Sequence, residues 1–353
     1  MKLIHCADIH LGSKMDVNLT GEKAEERRRE LRASFTNLLD YAQNNGVEGV
    51  LLCGDIFDSD RPFKKDKEFF YNALKNNPQI TFFYLRGNHD GEESFTEVLE
   101  NLKTFSRSGT TYDFNGINVS GVELGQDNCT SVYSSLNLDK DRLNILMLHG
   151  TAGDTSGKDK VNLTKLRNKN IDYLALGHIH TYSQGKLDER GVWAYSGCLE
   201  GRGFDEAGEK GFILLDTEEK ITAQFVPFAK RKIHIFNVDI SGATDDYSAY
   251  SIVKSNINCS KKDIVRAEIT GEISFDNADL AEEIQKRMAS ENYYLFDVKD
   301  RTKRKFDISS LQGDITLRGE FIRTVLASAY SEDEKADIIS AGLKALDSRE
   351  IDL

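Results

Sequence analysis

The chain has 353 residues, 39% of them hydrophobic, and its 58 acidic side chains outnumber 46 basic ones to give a formal net charge of −12 at pH 7. This length can bury one large core and a smaller one without covalent staples, and no run of about 18 apolar residues exists, so no membrane-spanning helix and no membrane association are expected. Five scattered cysteines (Cys6, Cys53, Cys129, Cys198 and Cys259), never spaced Cys-x-x-Cys, fit a reducing, cytoplasmic compartment, and the acidic balance opposes unaided association with a polyanion.

The N-terminus enters a strand at once, Leu3 to Cys6, so no leader is expected. Residues 22–43 read as a helix with Leu31, Phe35, Leu38, Leu39 and Ala42 on one stripe. Strand-length apolar runs follow at Val50 to Cys53 and Ile80 to Leu85, with a helix at about 65–76 between them and Pro78 behind it. Residues 110–122 read as a hairpin around Asn115-Gly116. Further runs lie at Ile145 to Met147 and Tyr173 to Leu176, and strands near 192–196, 212–215 and 221–226 succeed one another without helices. The expectation is an α/β fold: a four-layer sandwich of two mixed β-sheets flanked by helices over residues 1–230. Pro227 and Lys230-Arg231-Lys232 mark a boundary. Beyond it, Ile233 to Val238, Tyr247 to Lys254, Ile264 to Ile269, Leu280 to Met288 and Tyr293 to Val298 read β-α-β-α-β, a smaller α+β domain over 231–316. Residues 317–353 read as helices with stripes Phe321, Val325, Leu326 and Ile339, Leu343, Leu346.

Five of the seven histidines stand in polar clusters that directly follow apolar runs: Asp8-Ile9-His10, Gly87-Asn88-His89-Asp90, Leu148-His149-Gly150 and Gly177-His178-Ile179-His180. Gly54-Asp55-Ile56-Phe57-Asp58 has the same placement and supplies carboxylates. Each cluster therefore sits at the C-terminal end of a buried strand, where open α/β sheets bind ligands. Asp8 and His10 are two apart, which on an extended strand end gives both side chains one face, and His178 and His180 repeat the spacing. Six or seven nitrogen and oxygen donors exceed the needs of one ion, and two ions sharing a carboxylate are the natural arrangement. Two such cations, about 3.5–4 Å apart, bridge a phosphate and lower the pKa of water to roughly 7. Mixed N/O donors without thiolate favour Mn²⁺, with Fe or Zn as rivals.

In order, Asp-x-His, Gly-Asp-x-x-Asp, Gly-Asn-His-Asp, His and Gly-His-x-His resemble the motifs of the calcineurin-like metallophosphoesterase superfamily. The flanks Leu3 to Gly12, Arg61-Pro62 after Asp58, and the helix Arg28 to Ala42 resemble the nuclease subunits of the SbcCD group of double-strand-break repair proteins, YhaO-like proteins included. The resemblance covers about residues 1–230 and only loosely the rest. It implies that Asp8, His10 and His180 hold one ion, that Asn88, His149 and His178 hold the other, and that Asp55 bridges them. It further implies that His89 protonates the leaving oxygen and that Asp58 orients His89. By the residues alone Asn88 also suits a turn, Asp58 a turn or cap, and Asp90 either a loop anchor or an acceptor behind the ligands.

The resemblance also implies a DNA nuclease with 3′-to-5′ exonuclease and single-strand endonuclease action, a capping role for the second domain, and an SbcC-like coiled-coil ABC ATPase as partner. Two other readings stay open: a phosphodiesterase or phosphatase for small or protein-borne phosphoesters, and a DNA-end or partner-binding module. A homodimer is also left open. Basic clusters at Arg27-Arg28-Arg29, Lys230-Arg231-Lys232 and Arg301 to Lys305 read as solvated faces or DNA contacts. His5 reads as a core histidine and His234 as a surface one. The loop Thr151 to Val161, with Lys158 and Lys160, reads as a mobile substrate lip, and Arg202 in Gly201-Arg202-Gly203 as a phosphate contact or part of a tight turn. The C-terminal stripes suit either core packing or docking onto the ATPase.

Overall fold

Each central strand alternates its side chains between two cores, as a pleated segment covered on both faces must. The chain is described from a computed structural model, which covers residues 1–15, 19–94, 97–275, 279–304 and 315–331, with 334, 335, 338, 339, 341, 342 and 345. It divides into two compact units, Met1–His234 and Ile235–Leu353.

In the first unit one sheet contains β1 (Lys2–Cys6), β2 (Val47–Cys53), β3 (Thr81–Leu85), β4 (Leu102–Thr104), β13 (Gly211–Asp216) and β14 (Thr222–Pro227), ordered β14-β13-β1-β2-β3-β4. β1 to β4 run parallel, and β13 and β14 close the sheet antiparallel. The second sheet contains β5 (Thr110–Phe114), β6 (Ile117–Gly121), β7 (Asn144–His149), β10 (Tyr173–Gly177), β11 (Ser183–Lys186) and β12 (Val192–Tyr195), ordered β11-β12-β10-β7-β6-β5. The sheets are mixed and layered as the sequence pattern implies. Leu3, Leu51, Phe83, Ile145, Met147 and Ala175 fill the space between them. Ile4, Val50, Leu52 and Phe82 point the other way, onto α1 (Gly21–Asn44) and α2 (Lys64–Lys75). The α1 stripe is buried as expected, and the helix starts at a Thr20 cap whose side chain accepts from the Lys23 N–H.

The fourth layer is thinner than the sequence suggests. Leu146, Leu148, Leu174 and Leu176 are covered by loops and two four-residue helices, α3 (Val132–Ser135) and α4 (Leu163–Leu166). The stretch after His149, read from the sequence as a substrate lip, contains a short parallel pair, β8 (Thr151–Gly153) with β9 (Lys160–Asn162).

In the second unit β15 (Ile233–Asp239), β16 (Ile264–Thr270) and β18 (Leu295–Asp300) form a sheet ordered β15-β16-β18, and β17 (Glu272–Ile273) pairs with β19 (Lys303–Arg304). Val265, Ala267 and Ile269 pack with Val253 of α5 (Asp246–Asn256) and with Leu280, Ile284 and Met288 of α6 (Leu280–Met288). Near the C-terminus α7 (Leu317–Leu326) forms a local cluster in which Ile322, Val325 and Ile339 are buried. Leu343 and Leu346 of the expected second stripe lie outside the described residues.

Candidate metal centre

The loops that follow β1, β2, β3 and β10, with the last residue of β7, bring all seven expected donors together. Ligating atoms of Asp8, His10 and His180 lie within 4.8 Å of one another, and so do those of Asp55, His149 and His178. Asn88 Oδ1 sits 3.0 Å from His149 Nε2 and 2.9 Å from His178 Nδ1. Asp55 Oδ2 lies between the groups, 3.9 Å from His10 Nε2 and 3.4 Å from His149 Nε2. Donors about 2.0–2.2 Å from one ion stand roughly 3–3.5 Å from each other, so the set fits one ion in each group with Asp55 between them.

Strand alternation does not create this convergence. β1 ends at Cys6, and Asp8 and His10 both have φ of 53°, Asp55 51° and His178 101°. Left-handed backbone at non-glycine residues costs on the order of 1–3 kcal/mol each and persists only where surrounding bonds dictate it. Here they do: Asp8 N–H donates to the Gly54 carbonyl at 3.0 Å, His10 N–H to the Asp55 carbonyl at 3.0 Å, and Leu11 N–H to Ile56 at 2.8 Å. The second loop is fixed from the third, since Asp90 accepts from the N–H groups of Ile56, Phe57 and Gly87. Asp90 is thus the loop anchor. Tyr195 fixes the loop after His149, donating to the Gly150 carbonyl and accepting from Ala152 N–H, both at 2.6 Å.

The electrostatics suit cations. Burial pushes the Asp8 carboxyl up to about 7, so a positive charge is needed to keep it ionised there. Burial alone lowers the His149 imidazole, but the bonded Asp55 carboxylate outweighs it and raises His149 to about 9. Asp55 in turn is held below the carboxylate range by His149, against its own burial. A divalent ion held by Asp55 and His149 would take the place of the proton that this pair would otherwise share.

His89 is exposed; its backbone N–H donates to Asp55 Oδ1 at 2.9 Å, and its ring stands 5.1 Å from the His10 ring. Asp58, expected to orient His89, does something else: Oδ1 lies 3.1 Å from His10 Nδ1 and accepts from Arg202 Nη1 at 3.0 Å. The carboxylate is drawn to a cation and to the nearer imidazole. Arg202 is neither a free phosphate contact nor merely part of a turn, because its guanidinium is bonded to Asp58 and Glu206. Glu206 accepts from His180 Nδ1 at 2.7 Å. It escaped the sequence reading because it lies past the last histidine motif; its position four residues after Arg202 was the available signal. His5 is a core histidine, paired through Nδ1 with the Tyr173 hydroxyl and through Nε2 with the Leu176 carbonyl, and burial lowers it to about 3. His234 is half-buried in β15.

Residues 1–182, which contain every donor together with His89 and Asp58, match the family model of the calcineurin-like phosphoesterases. Among curated proteins, the DNA double-strand break repair protein Mre11 of Sulfurisphaera tokodaii is 25% identical over 376 residues, covering 99% of this chain and 94% of its own. The protein of the same name from Sulfolobus acidocaldarius is 25% identical, covering 95% of this chain and 96% of its own. The uncharacterized metallophosphoesterase YhaO of Bacillus subtilis is 28% identical over 239 residues, covering 61% of this chain and 57% of its own. With a family match over more than half its length and that family's kind of metal-binding donors gathered at one rim of the sandwich, the chain belongs to the calcineurin-like phosphoesterases.

Proposed function

We propose that this chain is a two-metal DNA nuclease, a phosphodiesterase whose natural substrate is a DNA strand or end. The observation that carries the reading is the convergence of seven N and O donors about one shared carboxylate, Asp55, with His89 exposed beside it. Asp8, His10 and His180 would hold one ion and Asn88, His149 and His178 the other, with Mn²⁺ favoured over Fe or Zn by the mixed N/O donors without thiolate. Two divalent ions supply Lewis acidity to a phosphodiester and lower the pKa of water. The chain's own residues orient that chemistry. His89 is the group placed to pass a proton to the leaving oxygen, since it is exposed and its ring nitrogen lies within 4.8 Å of the Asp55 carboxylate and His10.

DNA as the substrate is supported by relatives named for double-strand break repair that align with nearly the whole chain. A 3′-to-5′ exonuclease with single-strand endonuclease action, working in the cytoplasm beside an SbcC-like ATPase, is the finer form of the proposal. The acidic chain makes such a partner useful, because much of two of its basic clusters is spent internally. Arg27 pairs with Glu30 and Glu200, Arg28 with Glu25, Arg231 with Glu26 and Glu30, and Lys232 with Glu209. That same observation favours, as a second reading, a phosphodiesterase for small phosphoesters. Linear duplex, single-stranded DNA and an aryl phosphodiester, compared under Mn²⁺ with and without the ATPase, separate the two. The nuclease reading expects DNA cleavage that the ATPase enhances; hydrolysis of the aryl ester with DNA untouched in both arms refutes it.

A further inference from the structure

His10 and His180 face each other through Nε2 atoms 3.3 Å apart. For both to accept an ion, each ring must carry its proton on Nδ1, and whatever bonds Nδ1 decides tautomer and aim. Glu206 Oε1 is hydrogen-bonded to His180 Nδ1 at 2.7 Å, and Asp58 Oδ1 stands 3.1 Å from the buried His10 Nδ1 as an ion-pair contact without hydrogen-bond alignment. The two carboxylates come from separate loops, and one side chain ties them together. Arg202 donates Nη1 to Asp58 Oδ1 at 3.0 Å, Nε to Glu206 Oε1 at 3.0 Å and Nη2 to the same oxygen at 2.7 Å. Its backbone N–H adds a bond to Glu206 Oε2 at 2.7 Å. Nη2 also lies 3.1 Å from His180 Nδ1, but both are donors once Nδ1 holds its proton, so this contact is a close approach and the bonds are to Glu206.

We propose that Arg202 is a positioning residue that clamps Asp58 and Glu206 together, and through them fixes His10 and His180 as a pair, so setting the affinity of one ion site and not the other. The inference rests on the two-ion reading of the centre. Its force comes from geometry: Asp58 is 30% exposed and free to turn to water, and only a planar fork spans both carboxylates at once. A lysine keeps the charge but not the fork. Among the described residues the Asn88, His149 and His178 group has no equivalent clamp, since His149 Nδ1 is held by the Cys53 carbonyl at 2.9 Å.

The test is Mn²⁺ binding to the chelator-stripped full chain without DNA, by titration calorimetry, for wild type, Arg202→Ala, Arg202→Lys and Glu206→Gln. Thermal unfolding of each stripped variant controls for folding, and Arg202→Lys carries the test should Arg202→Ala fail to fold. Wild type should bind two ions. Each variant should bind one as wild type does and the other about 10–100-fold more weakly, and adding Asn88→Ala to Arg202→Lys should weaken both. Glu206→Gln combined with Arg202→Lys should cost little more than either alone. Wild-type affinity at both sites in the Arg202 variants overturns the proposal, as does equal weakening of both or a raised KM for DNA with metal binding intact. A wild-type chain that binds fewer than two ions overturns the two-ion reading itself, which the same titration reveals separately.

Discussion

The two halves of the metal centre share Asp55 but are built on different physical supports. Around His10 and His180 the orienting groups are charged side chains, Asp58, Glu206 and Arg202, that reach in from loops far apart in sequence. Lys210 adds to this, donating Nζ to the His180 carbonyl at 2.6 Å. Around His149 the support is backbone. Its Nδ1 donates to the Cys53 carbonyl, and Gly54, Gly87 and Gly177 pack so closely that an added Cβ at any of them meets the ring, with the Cys53 carbonyl also in the way at Gly177. A charge-built site tolerates backbone adjustment but fails when a charge is removed. A clearance-built site behaves the opposite way.

The shared residue should give the largest effect. Asp55→Asn leaves each group short of its common anion and should release both ions with essentially all activity; elemental analysis showing two retained ions would mean that another group bridges. His89→Ala should leave both ions bound while turnover falls by about 10²–10⁴, and loss of metal along with turnover would make it a ligand. The contrast between supports is sharpened by a pair of variants. Gly177→Ala displaces the Cys53 carbonyl and should selectively weaken the site of His149, by about 10-fold or more, whereas Glu206→Gln should selectively weaken that of His10 and His180. Equal losses in both variants would erase the distinction. The smallest effect on the centre should come from deleting residues 317–353. If these helices dock onto the ATPase, the shortened chain keeps its metal and hydrolyses an aryl phosphodiester normally but no longer captures the partner; if they are core, as the Ile322, Val325 and Ile339 cluster permits, it precipitates.

The convergence of these side chains was legible because each cluster stands at the end of an apolar strand, and a chain that buries both faces of a sheet announces its strand ends. The sandwich was legible for the same reason. What the sequence could not reveal is how the donors turn inward. Left-handed backbone at Asp8, His10 and Asp55 leaves no compositional mark, because it is imposed by bonds from neighbouring loops. Asp58 was visible, but its contacts with His10 and Arg202 were not, since the spacing from Asp55 is fixed while its side chain bonds Arg202, 144 residues away. Glu206 and the paired state of the basic clusters were hidden likewise, being relations between distant segments.

The central claim is that Asp55 stands between two ions held by the two groups. Anomalous diffraction from crystals of the full chain grown with Mn²⁺ tests it most directly. The account predicts two peaks about 3.5–4 Å apart, one against Asp8, His10 and His180 and one against Asn88, His149 and His178, with Asp55 contacting both; a single peak, or two that Asp55 does not join, would contradict it.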